Sequence, residues 1–214
     1  MTRISIILVF AVGLAGQPLK VDRANQVKAH KVTVENREGV FYVTPAGAGE
    51  DEDRLGLVQG SESFKNGTIE LEISGKPGAD AGTAARGFVG VAFRAAADGS
   101  RFECIYLRPT NGRADDQVRR NHSAQYISVP GFPWAKLRKD FPEKYESYVD
   151  LQPGEWTKVK IVVEGAKARL YVHGSAQPTL LVNDLKQPEA AGAVAFWVGP
   201  GTEARFRNVL ITGQ

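Results

Sequence analysis

The sequence predicts an all-β domain: two antiparallel sheets packed face to face, with jelly-roll-like connections and one long ordered loop excursion. Three observations carry this. Short runs rich in Val, Ile, Phe and Tyr recur with an apolar period of two. Clusters of Gly, Pro, Asn and Asp separate them, drawing on 23 Gly and 11 Pro in 214 residues. No convincing amphipathic helix of about ten residues can be traced beyond the leader. A period of two sends alternate side chains to opposite faces of a pleated strand, and Gly and Pro mark the reversals between strands.

The chain opens with Met1-Thr2-Arg3 and a run without charge from Ile4 to Ala15. A basic tip, a short apolar stretch and small residues predict a signal peptide over 1–16 and an exported protein, periplasmic or extracellular. As a helix that run reaches about 18 Å, short of the roughly 30 Å of a hydrocarbon core. Gln17 stands where a lipidated cysteine would have to be, which excludes a thioether lipid anchor. Residues 17–31 are polar and read as a linker, leaving 32–214 as a single sandwich domain.

Within it, Lys31–Glu35, Val40–Thr44 and Thr68–Ser74 alternate polar and apolar residues, as half-exposed strands do. Gly87–Arg94 and Phe102–Arg108 are more apolar and read as inner strands. Thr157–Glu164, Ala168–Val172, Thr179–Val182, Ala193–Val198 and Ala204–Thr212 complete the series. Between Pro109 and Tyr148 the strand signal fades, yet Phe132, Trp134, Phe141 and Tyr145 argue for order, so this stretch reads as an excursion that shapes a surface.

Composition narrows the function. A net charge of +3, with 43% apolar and 24% charged residues, fits a globular domain, not a nucleic-acid binder or an integral membrane body. Cys104 is the only cysteine, so no internal disulfide forms. His30, His122 and His173 are too scattered for a zinc motif, and neither GxxxxGK[ST] nor GxGxxG is present for phosphate or dinucleotide. No cofactor is expected; a structural calcium is possible in such a fold, but no run of oxygen ligands indicates one.

The chemistry concentrates in Arg108–Tyr126, where Arg108, Arg113, Arg119 and Arg120 stand beside Asp115 and Asp116, with Asn111, Gln117, His122 and Gln125. Tyr126 and Trp134 follow, the latter in the Pro-framed turn Pro130–Trp134. Sugar hydroxyls donate and accept at fixed angles, which Asp, Asn, Gln and Arg match, while pyranose faces stack on flat aromatics. The expected partner is therefore a glycan or small glycoside. Arg94 and Tyr106, on the preceding strands, complete the candidate substrate-binding set. Glu103 lies in an apolar strand, where a carboxyl needs a partner such as Arg94 or Arg101, or a task. If the protein is catalytic, Glu103 with Asp115 or Asp116 forms the acid/base pair and His122 assists. Glu70 and Glu72 share a strand face, but Gly75 stands where a third acid would complete a glucanase-like pattern, so they read as a solvent face.

Gly154-Glu155-Trp156-Thr157-Lys158-Val159-Lys160-Ile161, the hairpin Arg169–Gly174, Gly192–Trp197 and Ala204–Val209 together resemble the concanavalin A-like and laminin-G-like sandwich superfamily. Gly87–Arg94 and Phe102–Leu107 resemble a block of the 3-keto-disaccharide hydrolase domain family, with Glu103 at its motif glutamate. That resemblance implies a concanavalin A-like jelly roll and hydrolysis of a disaccharide, 3-keto-glycoside or oligosaccharide. Two alternatives stand beside it: a non-catalytic, lectin-like carbohydrate-binding module and a laminin-G-like protein-interaction domain.

Overall fold

The computed structural model describes residues 17–47 and 52–213; the expected signal peptide lies outside the described residues. In chain order the strands are β1 (Leu19–Val21), β2 (Val27–His30), β3 (Val32–Arg37), β4 (Val40–Pro45) and β5 (Leu55–Val58). Then come β6 (Gly67–Pro77), β7 (Val89–Ala95), β8 (Phe102–Leu107), β9 (Ala124–Val129) and β10 (Glu146–Ser147). β11 (Thr157–Glu164), β12 (Lys167–Val172), β13 (Leu180–Val182), β14 (Ala193–Val198) and β15 (Thr202–Gly213) close the domain. Two short helices interrupt the strands: α1 (Gln117–Asn121) and α2 (Trp134–Asp140).

They form an antiparallel sandwich. One sheet runs β13-β12-β11-β6-β15-β4-β3, with β1 also paired to β15, and the other runs β10-β9-β8-β7-β14-β5-β2. Between them, Ile69, Leu71 and Ile73 of β6 and Val159, Ile161 and Val163 of β11 meet Val91 and Phe93 of β7 and Phe196 of β14. Phe196 stacks on Phe206 across the gap, with centroids 4.3 Å apart and planes 11° from parallel. Removing one of these rings, as in Phe206→Ala, costs about 3–5 kcal/mol through lost burial and an unfilled cavity.

The β10-to-β2 sheet is covered on both faces. A second apolar cluster, including Cys104, Tyr106, Ile127, Ala195 and Trp197, lies on its outer side. Cys104 is fully buried there, and burial pushes its thiol well above its ordinary value, so it packs as an apolar residue. Glu70 and Glu72 do stand opposite Leu71 and Ile73, and Glu72 is held by Arg207 at 2.6 Å on the outer face of the other sheet.

Two expectations are corrected. Residues 17–31 are not a linker: β1 pairs with β15 and β2 pairs with β5, so the domain begins near Leu19. The 109–148 stretch is not only an excursion. Its centre, β9, pairs with β8 over its whole length, and Ala124 and Tyr126 enter the inter-sheet core. Its polar Gln125 and Ser128 hide the strand signal, because both are fully buried by hydrogen bonds formed only after folding.

Candidate functional site

A cavity of about 550 Å³ opens on the outer face of the β10-to-β2 sheet, within the roughly 300–1,000 Å³ range of small-ligand sites. Strand alternation builds its floor. On β8 the odd residues Glu103, Ile105 and Leu107 enter the inter-sheet core, so Tyr106 points outward and Arg108 continues on that side. The Tyr106 ring lies 4.6 Å from that of Trp197 on β14 and 6.1 Å, edge-on, from Phe88. Gly90 pairs with Tyr106 across the strands, and a Cβ there would come within 2.4 Å of the Tyr106 Cβ. Only glycine lets the tyrosine sit this close to β7.

Above the floor stands a buried polar network centred on Arg108. Its Nη1 donates to the His122 carbonyl at 3.0 Å and to Glu146 at 3.3 Å. Its Nη2 donates to the Tyr106 hydroxyl at 2.8 Å and to Gln125 at 3.2 Å. Arg138 also grips Glu146, with Nε at 2.9 Å. Arg138 stands four positions after Trp134, which places them on one face of α2, and the Arg138 guanidinium lies 4.8 Å from the Trp134 ring centre. Trp134 keeps 43% of its surface exposed at the rim.

His122 follows α1, and its carbonyl is held by both Arg108 and the Asn111 amide, the latter at 3.2 Å. Its Nε2 lies 3.6 Å from Glu146, with 18% of the side chain exposed. Burial, then the charges of Arg138 and Arg108, outweigh Glu146 and hold the imidazole below its ordinary value. Glu52 lines the cavity too, and burial pushes its carboxyl up. Both shifts run in the direction proton transfer needs, toward a neutral base and a protonated acid.

Of the residues expected from the sequence, Tyr106, Arg108, Asn111, Arg119, His122 and Trp134 line the cavity. Gln125 lies beneath it, accepting from Arg108 and donating to the Tyr126 and Tyr145 carbonyls. The others are elsewhere. Glu103 faces the inter-sheet core, fully buried, accepting from the Tyr126 hydroxyl at 2.6 Å and the Gln187 amide at 2.9 Å. Burial raises its carboxyl, and the sheet itself separates it from the cavity. Tyr126 is therefore a core partner of Glu103 and of the Lys186 amide, not a ligand contact. Arg94, also buried, clamps the Lys65 and Gly165 carbonyls and Asn66.

Asp116 caps α1 by accepting from the Arg119 amide at 3.1 Å, and Asp115 beside it is exposed, so neither faces a substrate in the cavity. Gln117 bonds Asn121 along the same helix, and Arg120 bonds the Tyr148 hydroxyl. Arg113 pairs with Asp150 in a separate, smaller hollow. The expected acid/base pair of Glu103 with Asp115 or Asp116 is thus not assembled.

Glu52, Arg86, Phe88, Arg138, Glu146 and Trp197 belong to the site without having been expected in it. Trp197 alternates with Ala195 and Ala193, a readable outward face of β14. Arg138 would have followed from Trp134 had the short helix been read. Nothing local marks Glu146, Glu52 or Arg86. Among the described residues, no three His, Cys, Asp or Glu side chains converge as a metal site, and no helix is long and apolar enough to cross a membrane.

Residues 21–212 match the 3-keto-alpha-glucoside-1,2-lyase-like domain family. No curated protein matches the sequence. Among solved structures, a putative glycosyl hydrolase from Parabacteroides distasonis is similar at TM-score 0.60 and 9% identity, over 93% of this chain and 100% of that one. The exoplasmic/lumenal domain of VIP36, in a Ca²⁺/mannose-bound form, is similar at TM-score 0.58 and 10% identity, over 92% and 89%. A Bacillus subtilis protein with a galectin-like fold is similar at TM-score 0.52 and 11% identity, over 94% and 96%. At these identities the likeness is one of fold.

Proposed function

The chain belongs to the 3-keto-alpha-glucoside-1,2-lyase-like domain family, and on that premise we propose that the cavity above Tyr106 and Trp197 binds a 3-keto-glycoside and cleaves its glycosidic bond by elimination. The observation that carries this is the pairing, in one cavity, of an aromatic floor with His122, held toward its neutral form, and Glu52, held toward its protonated form. The usual hydrolytic route uses two carboxyls flanking the bond. Here Glu146 is committed to Arg108 and Arg138, leaving Glu52 as the other carboxyl at the cavity.

A 3-keto group acidifies the neighbouring C2–H. In the proposed step His122 takes that proton, the C–H electron pair becomes the C1=C2 double bond, and the C1–O bond breaks. The leaving oxygen takes its proton from Glu52. Arg108 and the Tyr106 hydroxyl orient the sugar, with Asn111 and Gln125 holding Arg108 and His122 in place. No water is consumed, and protons return to Glu52 and from His122 through solvent. Export is part of the proposal and rests on the apolar run Ile4–Ala15.

The test is 3-keto-trehalose deuterated at C2, incubated with the protein in ¹⁸O water. Elimination predicts an ultraviolet-absorbing enone, loss of the deuterium and no ¹⁸O at C1. Retained deuterium with ¹⁸O at C1 would establish hydrolysis instead. A second reading, a binding module, is favoured by the half-exposed Trp134 ring at the rim; binding without turnover, weakened by Trp134→Ala, would establish it.

A further inference from the structure

The cavity lining is unbalanced in charge and in hydrogen-bonding type. Arg86, Arg108, Arg119 and Arg138 all line it. Glu146 serves two of them, Arg108 and Arg138. Arg86 and Arg119 have no carboxylate partner among the described residues. Arg86 donates through Nη1 to the Thr83 carbonyl at 2.6 Å and the Ala85 carbonyl at 3.0 Å. Arg119 makes one weak contact, Nη2 to Asn111 at 3.5 Å, and its Nε is buried with no partner. The guanidiniums of Arg86 and Arg119 share this one cavity with those of Arg108 and Arg138.

Like charges gathered in one partly desolvated cavity repel one another, and an anion bound among them relieves that repulsion. A sugar hydroxyl can accept from either arginine, but its own proton finds no acceptor on a guanidinium. A hydroxyl both donates and accepts, whereas guanidinium carries five donors and no acceptor. An acceptor-only group with two or three oxygens is the match, and a planar fork binds a carboxylate or phosphate through paired hydrogen bonds.

We propose that the cavity takes a sugar bearing an anionic substituent, a carboxylate or a phosphate ester, seated on Arg86 and Arg119 while the ring lies over the aromatic floor. This rests on reading the cavity as the sugar site, and names the class of sugar it selects. The Arg119 Nε then gains the acceptor it lacks. Because the partners are ionic, affinity falls as salt rises.

The experiment is calorimetric titration of the full chain with three matched probes: methyl α-glucoside, methyl α-glucuronide and methyl α-glucoside 6-phosphate. At low salt at least one anionic probe binds tenfold or more tighter than the neutral one, and which one does so identifies the anion. The preference shrinks to within about threefold in Arg119→Gln and in Arg86→Gln. In Arg119→Lys, which keeps the charge, part of it survives. If a glutamine variant fails to fold, the lysine variant and a salt series on the wild type read the same dependence. Equal affinity for all three probes overturns the proposal, as does a preference undiminished in both glutamine variants. Turnover of 3-keto-trehalose, run in parallel, separates the two readings. Turnover without anion preference removes only this inference, and anion preference without turnover removes only the elimination.

Discussion

Strand β8 carries two buried polar centres, one on each face, and they differ in what surrounds them. On the inner face Glu103 is enclosed by the sandwich and satisfied by Tyr126 and the Gln187 amide. On the outer face Arg108 is almost as buried, at 5% exposure, but its network borders an open cavity. Burial and a shifted carboxyl are common to structural and functional groups. A route for a ligand is what tells them apart, and only the outer face has one.

The strongest way to break this comparison is Arg108→Met. It removes the partner shared by Tyr106, Gln125 and Glu146, so activity on a 3-keto-glycoside should vanish and denaturant unfolding should show a loss of about 3–5 kcal/mol. A stable, active variant would mean the network is peripheral.

Next comes His122→Gln, which should lower kcat/KM by roughly 10²-fold or more if the imidazole is the base. In the wild type the acid limb of the pH–kcat/KM profile should have its midpoint below the ordinary 6.5, because the folded site disfavours the imidazolium. By linkage, the stability tied to neutral His122 is present above pH 6.5 and lost as pH falls through the lowered value. An acid limb unchanged in His122→Gln would assign the base elsewhere.

Glu103→Gln sharpens the contrast from the inner face. It should cost about 1–3 kcal/mol of stability while leaving turnover intact, since the sheet separates it from the cavity. The carboxyl is raised in the fold, so its contribution is complete below the ordinary 4.5 and declines as pH rises through the raised value. The stability gap between wild type and Glu103→Gln, followed by urea melts across pH 4 to 8, should therefore move against the wild type as pH increases. Lost turnover at full stability would restore a catalytic Glu103.

The smallest effect is expected at the rim. Trp134→Ala should weaken sugar binding by about 1 kcal/mol, the worth of one aromatic contact, read by calorimetry with little change in melting.

Much of the fold was legible locally. The alternation in β6, Ile69-Glu70-Leu71-Glu72-Ile73, told which side faced the core because its other side meets solvent. The same logic failed on β8, where Phe102 to Leu107 are all buried. With both faces covered, apolar character no longer distinguishes inside from outside, and a glutamate there invites a catalytic reading it does not earn. β9 was obscured for a related reason: Gln125 and Ser128 look like loop residues until their buried partners are in place.

By itself, then, the sequence determined the sandwich and the inner strands, and it named six residues, from Tyr106 to Trp134, that line the cavity. Period-two patterning and chemical type are local properties, so they survive in one dimension. The tertiary structure alone decided that Glu103 is core, that Asp116 is a helix cap, that Arg86, Arg138 and Glu52 line one cavity with His122, and that Glu146 stands 3.6 Å from the His122 ring. Those residues come from segments far apart in the chain. Their proximity follows from sheet register and from the return of α2 over the outer face, which no local pattern encodes.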